Sequence, residues 1–218
     1  MSTPATIAEK FFGSLDRRET RTTPYTHWIL KDVLPKDVCD GVLALPITPA
    51  RIDDTLGRRD AHNESRVFFS VENRKRFNVC RDTAAALQDA ATVRRIERTF
   101  GTDLKGRYLR IEYCQDTAGF YLEPHTDIGA KVFTMQIYLS PEPEAEAWGT
   151  DVLDGSKNIA TTVRAIFNSA LVFIPGQNTW HAYHRRPMTG VRRSLIVNYV
   201  KDEWRARHEL AYPDQPVA

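Results

Sequence analysis

His125 and Asp127 stand two apart in the segment Tyr121-Leu-Glu-Pro-His125-Thr-Asp127. On a β-strand, such residues point to the same face, so an imidazole and a carboxylate would lie side by side and begin a metal chelate. The spacing alone is common. With 6 His and 28 Asp or Glu in 218 residues, composition supplies about one such pair by chance. A second one exists at His62-Asn-Glu64, in a run of Arg, Asp and Asn that could not form a dry, rigid site. His125 instead follows Phe120, Tyr121 and Leu122 and precedes an apolar strand, the setting that orients a ligand. A third donor could come from His181 or His184, which are three apart, so only one can face inward from a strand. Further on, Arg192 and Ser194 share one face of the apolar run 192–200. A guanidinium fork beside a hydroxyl is a receptor for a carboxylate. On a rim strand, Arg192-Arg193 would simply be solvated.

These residues need elements to hold them. Pro4, Ile7, Ala8, Phe11, Phe12 and Leu15 have helical spacing, and Pro35 opens a short helix carrying Val38, Val42 and Leu43. Tyr25 to Leu30 reads as extended, Arg58 to Ser65 as a polar loop and Arg66 to Val71 as a strand. Asp82 is a plausible N-cap for one helix through Ala86, Leu87, Ala90, Val93, Ile96 and Phe100, with Gly101 as its stop. After Gly106 the pattern changes to short strands near 107–114, 119–127, 132–139, 151–153, 170–174, 179–183 and 192–200, punctuated by Gly and Pro. Helices followed by short strands predict an α+β chain whose strands suit a barrel or jelly roll, with the N-terminal helices buttressing one sheet. No linker divides the halves, so residues 1–218 read as one domain, 1–105 mainly helical support and 106–200 the core.

Composition narrows the class. A chain that is 42% hydrophobic and 27% charged is neither fibrous nor wholly disordered. No run of about 18 apolar residues offers a membrane span, and no secretory leader is visible. Cys39, Cys80 and Cys114 form no CxxC pair, which suits buried thiols in a reducing, cytoplasmic setting. Net charge is +2, but residues 51–110 hold 14 Lys or Arg against 9 Asp or Glu, whereas 112–154 hold 9 acids against Lys131 alone. Such asymmetry could steer an anion or be only a solvated, Arg-rich helix surface.

Taken in order, His125-x-Asp127, a distal His and Arg192-x-Ser194 resemble the Fe(II)- and 2-oxoglutarate-dependent oxygenases, specifically their prolyl-hydroxylase-like branch. The resemblance runs from about Arg107 to Val200. Tyr113 with Phe120-Tyr121 is similar to the approach to the first ligands, and Gln136-Ile-Tyr138-Leu-Ser-Pro141 to a strand end that reads YLN. Trp148-Gly-Thr-Asp151 resembles a turn that usually reads GGE, Leu171 to Ile174 the strand feeding the distal His, and Pro187 to Arg192 the stretch before the receptor Arg. Thr150 in place of the second glycine is a departure. The gap before Arg192 selects His181 over His184, although it is one residue longer than usual and leaves Arg193 as a rival receptor; face parity with Ser194 selects Arg192.

The resemblance implies a double-stranded β-helix, or jelly roll, that binds Fe(II) through His125, Asp127 and His181. It implies 2-oxoglutarate as cosubstrate, held by Arg192 and Ser194 with Tyr113 or Tyr138, and O2 as oxidant. Two His and one carboxylate leave three adjacent metal positions open. The carboxylate Asp127 implies hydroxylation rather than halogenation, with succinate and CO2 released. The expected substrate is a small molecule or an amino-acid side chain. A nucleic-acid demethylase is an alternative, although Asn198 and Tyr199 stand where those enzymes usually carry a second Arg. A metal-binding jelly roll without turnover is another. Tyr121 and Glu123 share parity with His125 and could face the pocket unless Pro124 bulges the strand, and Trp148 with its acidic loop could form a lid. Arg66, Arg74 and Arg76 would suit an anionic substrate. Oligomeric state has no signal.

Overall fold

A computed structural model describes residues 2–49, 57–58 and 66–218. The pair His62–Glu64 and most of the Arg58–Ser65 loop lie outside the described residues. The architecture is mixed α/β with two antiparallel sheets. Helix α1 spans Pro4–Asp16, with Thr3 as N-cap accepting from the Thr6 N–H and Pro at the first turn. Strands β1 (Glu19–Arg21) and β2 (His27–Leu30) follow, then α2 (Lys36–Leu43), β3 (Arg66–Phe68) and α3 (Val71–Arg76). The single helix expected from Asp82 to Phe100 is two, α4 (Asn78–Gln88) and α5 (Ala90–Phe100). Asp89 breaks it, because its side chain accepts from the Ala91 and Thr92 N–H groups and starts a new helix. Gly101, at φ 67°, ends α5 in the left-handed region, as its position suggested.

The strands after Gly106 are β4 (Tyr108–Asp116), β5 (Leu122–His125), β6 (Lys131–Tyr138), β7 (Thr150–Leu153), β8 (Ile159–Val163), β9 (Ala170–Phe173), β10 (His181–Tyr183) and β11 (Arg192–Val200). The sequence reading missed β8, whose mostly exposed face carries no apolar alternation. One sheet has seven strands in the order β1-β2-β9-β6-β11-β4-β3, and the other has four, β5-β10-β7-β8. The first third of the chain therefore supplies three strands as well as helices, more sheet than its pattern suggests. Leu109, Ile111, Met135, Ile137, Leu195 and Val197 turn one face of the large sheet to α1, α4 and α5. The opposite face meets the small sheet through Tyr25, Ile29, Tyr138, Leu171 and Phe173 against Val152 and Val163. Between the sheets, polar side chains replace apolar ones where the site lies.

Candidate metal centre

His125, Asp127 and His181 present ligand atoms that all lie within 4.8 Å of one another. Strand β10 pairs with β5 so that His181 lies opposite His125, and the rings stand 4.3 Å apart. The next pair, Tyr183 opposite Leu122, needs one extra residue on β5, which is a bulge at Glu123-Pro124. The bulge breaks parity: Leu122 and His125 both face the cavity, while Glu123 is exposed. Tyr121 lies under the Arg185 guanidinium rather than in the cavity wall. Asp127 stands two residues beyond the end of β5, so the turn, not strand alternation, brings it beside His125.

The two imidazoles are set alike. His125 Nδ1 is 2.7 Å from the Glu123 carbonyl, and His181 Nδ1 is 3.0 Å from the Thr179 carbonyl. A carbonyl can only accept, so each Nδ1 carries a proton, and in the neutral ring this leaves the lone pair that a metal requires on Nε2. Burial, followed by the neighbouring His125, pushes the His181 pKa down to about 4, so this ring is neutral at pH 7. Burial would raise the Asp127 carboxyl, but Lys131 Nζ at 2.7 Å from Oδ1 and Thr134 Oγ1 at 2.6 Å from Oδ2 outweigh it and keep the group ionised. His184 is elsewhere. Its Nδ1 is 2.9 Å from the fully buried Asp151, which Thr162 and Arg186 also bind.

A cavity of about 530 Å³ opens from the triad toward two walls. One wall carries Arg192, Thr150, Gln136 and Tyr183. Arg192 is 2% exposed and is not an open fork: Nη1 donates to Asp116 at 2.6 Å, Nε donates to the Trp148 carbonyl at 2.7 Å, and Nη2 reaches Thr150 at 3.4 Å. A guanidinium so deeply buried needs a counter-charge, and Asp116 supplies it. Around it, Ser194 Oγ, Gln136 Nε2 and Tyr183 OH are buried and have no hydrogen-bond partner among the described residues. Tyr138 donates to Thr150 at 2.9 Å, and Thr150 donates to Gln136 at 2.9 Å. Burial raises the Tyr138 and Tyr183 phenols, which therefore remain O–H donors.

The other wall carries Arg66, Arg110, Glu112, Trp204 and Glu209, with Arg58 beside it. Arg74 and Arg76 do not reach it; they lie over the Tyr212 and Phe77 rings. Of the described basic residues of 51–110, Arg58, Arg66 and Arg110 line the cavity, with Arg110 locked to Glu112 and Glu209, whereas Arg81 pairs with Asp82 and Arg95 with Asp16. Trp148 is no lid either. It is 2% exposed, packed with Phe120, Leu122, Tyr183 and Met188.

Of the residues expected around the cosubstrate, Arg192, Ser194 and Tyr138 lie on the inner face of the large sheet. Tyr113 does not. It occupies the opposite face of β4, in the helix-side core with Ile111 and Leu109, because an odd position on β4 faces the helices. Arg193 also faces away and pairs with Glu142 at 3.0 Å. Thr134, Gln136, Thr150, Tyr183 and Asp116 were not foreseen. Thr134 and Gln136 had a readable signal, since they alternate with the apolar Phe133, Met135 and Ile137 and share parity with Tyr138.

No protein-family model matches the chain. No curated protein matches it by sequence. Solved structures do. A prolyl hydroxylase from Trichoplax adhaerens, in complex with a hypoxia inducible factor peptide fragment, superimposes with a TM-score of 0.58 at 12% identity, covering 93% of each chain. A Pseudomonas putida prolyl-4-hydroxylase gives 0.56 at 15% identity, covering 92% of this chain and 96% of its own. A prolyl 4-hydroxylase from Phytophthora capsici gives 0.62 at 10% identity, covering 94% and 68% respectively. At these identities the likeness is one of fold, and the fold of this chain is that of the prolyl hydroxylases.

Proposed function

We propose that the protein is an Fe(II)- and 2-oxoglutarate-dependent dioxygenase that hydroxylates a small molecule or an amino-acid side chain. On this reading the facing sheets are the double-stranded β-helix of that superfamily. Residues 106–200 then form the catalytic core of a single domain, which residues 1–105 support. The observation that carries the proposal is the juxtaposition, in one cavity, of the His125, Asp127 and His181 donors with Arg192 and with Gln136 Nε2 and Tyr183 OH, which are buried and without a hydrogen-bond partner among the described residues. The donor set fits Fe(II): two imidazoles and one carboxylate, with room for three further ligands. The orphaned atoms fit 2-oxoglutarate. Buried polar atoms without partners are costly, and a bound carboxylate supplies the acceptors that the Gln136 amide and the Tyr183 hydroxyl lack, with Ser194 behind them on the same strand face as Arg192.

When bound, iron with 2-oxoglutarate and O2 supplies an oxidative decarboxylation that yields succinate and CO2 and inserts the other oxygen atom into a substrate C–H bond. The chain's own residues prepare that reaction. His125 and His181 offer fixed lone pairs, and the Glu123 and Thr179 carbonyls prevent ring rotation. Lys131 and Thr134 keep Asp127 ionised at both oxygens. Arg192, with Ser194 and Tyr183, orients the far carboxylate of the cosubstrate, and Phe173, 4.9 Å from His181, excludes water from that side. The wall of Arg66, Arg110, Glu112 and Trp204 receives the substrate.

Anaerobic titration with Fe(II) and then 2-oxoglutarate tests the proposal. The expected result is a weak visible charge-transfer band that survives in His184→Ala and disappears in His181→Ala, with succinate formed once O2 and substrate are admitted. Absence of the band in folded wild-type protein would refute the 2-oxoglutarate reading.

A further inference from the structure

Asp127 is connected to the far wall of the cavity by an unbroken chain of three hydrogen bonds. Thr134 Oγ1 donates to Asp127 Oδ2 at 2.6 Å, Asn198 Nδ2 donates to Thr134 Oγ1 at 2.9 Å, and Arg110 Nη1 donates to Asn198 Oδ1 at 3.3 Å. The sheet register builds this row, since Asn198 lies opposite Arg110 on β4 and opposite Thr134 on β6. Residue chemistry allows one direction only. A guanidinium cannot accept, so it meets the Asn198 carbonyl, which turns the amide NH2 to Thr134 and to the Phe133 carbonyl at 3.3 Å. An ionised carboxylate cannot donate, so the Thr134 proton goes to Asp127.

Both ends of the row are anchored. Arg110 is bound by Glu209 at 2.6 Å and Glu112 at 2.9 Å, and its guanidinium lies 5.0 Å from the ring centroids of both Phe68 and Trp204. Asn198 itself is fully buried and stands behind the cavity wall, where it touches the lining residues Arg110 and Thr134 but does not line the cavity, so its polar side chain serves neither substrate nor solvent directly. We propose that Asn198 is a positioning residue of the metal centre, holding the Thr134 proton on Asp127 and tying the orientation of that carboxylate to Arg110 on the substrate-facing wall. This rests on the reading of His125, Asp127 and His181 as metal ligands. Without the Asn198 amide, the Thr134 hydroxyl is no longer held toward Asp127, and Lys131 alone grips the carboxylate, at the other oxygen.

Titration of the metal-free protein with Co(II), followed by its visible absorption, tests the inference without turnover. Asn198→Leu removes the relay at similar volume. Asn198→Asp keeps an acceptor for Arg110 but cannot donate to Thr134, and its added negative charge would by itself favour a cation. Both variants, and Thr134→Val, are expected to bind Co(II) about ten- to a hundred-fold more weakly, the usual loss for groups that orient a metal ligand. Thr134→Ser, which retains the hydroxyl, should match wild type. Combining Asn198→Leu with Thr134→Val should weaken binding no further than the worse single variant, because both cut one chain. Wild-type affinity in either folded Asn198 variant, or additive losses in the double variant, would overturn the relay while leaving the metal site intact. If the wild-type protein itself binds no Co(II), the metal reading falls and the relay with it.

Discussion

On the proposed function Arg192 anchors the cosubstrate, and its charge is already balanced by Asp116 at 2.6 Å. A dicarboxylate would then be held by the remaining Arg192 edge and by neutral donors, chiefly the Tyr183 hydroxyl and the Gln136 amide of the cavity wall. Two outcomes follow. Asp116→Asn leaves a buried guanidinium without its counter-charge and should destabilise the protein by about 3–5 kcal/mol. Added 2-oxoglutarate should then restore more of the melting temperature than it adds to wild type, because it replaces the missing charge; an equal shift in both proteins would refute this. Tyr183→Phe removes one orphaned donor at constant shape. It should weaken 2-oxoglutarate about ten-fold, the loss expected for one hydrogen bond to a charged group, with Co(II) affinity unchanged, as calorimetric titration would show. The sequence made Arg192 and Ser194 legible as a pair. Asp116 was not legible as their partner, because it lies 76 positions away and meets Arg192 only through the β4–β11 register.

Turns and breaks between elements carry as much of the site as the strands do. Gly149 lies where an added Cβ would fall 1.6 Å from the Val163 carbonyl oxygen, so the chain passes there only without a side chain. Its neighbours Trp148 and Thr150 supply the carbonyl and hydroxyl that meet Arg192. Gly149→Ala should displace this segment, lower 2-oxoglutarate affinity at least ten-fold and destabilise the fold by about 1–3 kcal/mol, measurable by calorimetry and urea denaturation. The helix break at Asp89 has its own use. It frees the Leu87 carbonyl, which the Tyr199 hydroxyl on β11 takes at 2.6 Å, joining α4 to the sheet. Tyr199→Phe should cost about 1 kcal/mol in urea denaturation without altering metal binding. The apolar spacing of 82–100 reveals helix on both sides of Asp89, but a cap inside a periodic run is a local competition that spacing does not report.

Across the whole molecule, buried titratable groups set how the fold responds to pH. Burial pushes the Cys39 and Cys80 thiols up to about 12. Below the unfolded thiol range, near 8.5, both states are protonated and the stability is fully present. As pH rises from there toward 12, the unfolded chain ionises first and stability is lost. At pH 8 neither thiol of the native protein should react with iodoacetamide, whereas both should be alkylated in urea, a contrast that mass spectrometry would register. His27 is fully buried, and burial lowers its pKa, so its contribution is present above the ordinary imidazole range and is lost as pH falls through and below about 6.5. His27→Phe should flatten the acid limb of the stability profile, by at most about 1.4 kcal/mol per pH unit.

What the sequence determined by itself was local: residue types, the two-residue step from His125 to Asp127, the strand periodicity of β6 and β11, and the Pro, Asp and Gly signals at helix ends. Those follow from steric and hydrogen-bonding preferences within a few residues. The tertiary structure decided which of these meet. It chose His181, opposite His125, while Asp151 holds His184; it turned Tyr113 to the helices; it let Pro124 bulge β5; and it brought Arg110, Asn198 and Thr134 into one row ending at Asp127. The physical reason is register. A strand's neighbours are set by pairing with segments far along the chain, and shifting that pairing by one residue sends every side chain to the other face.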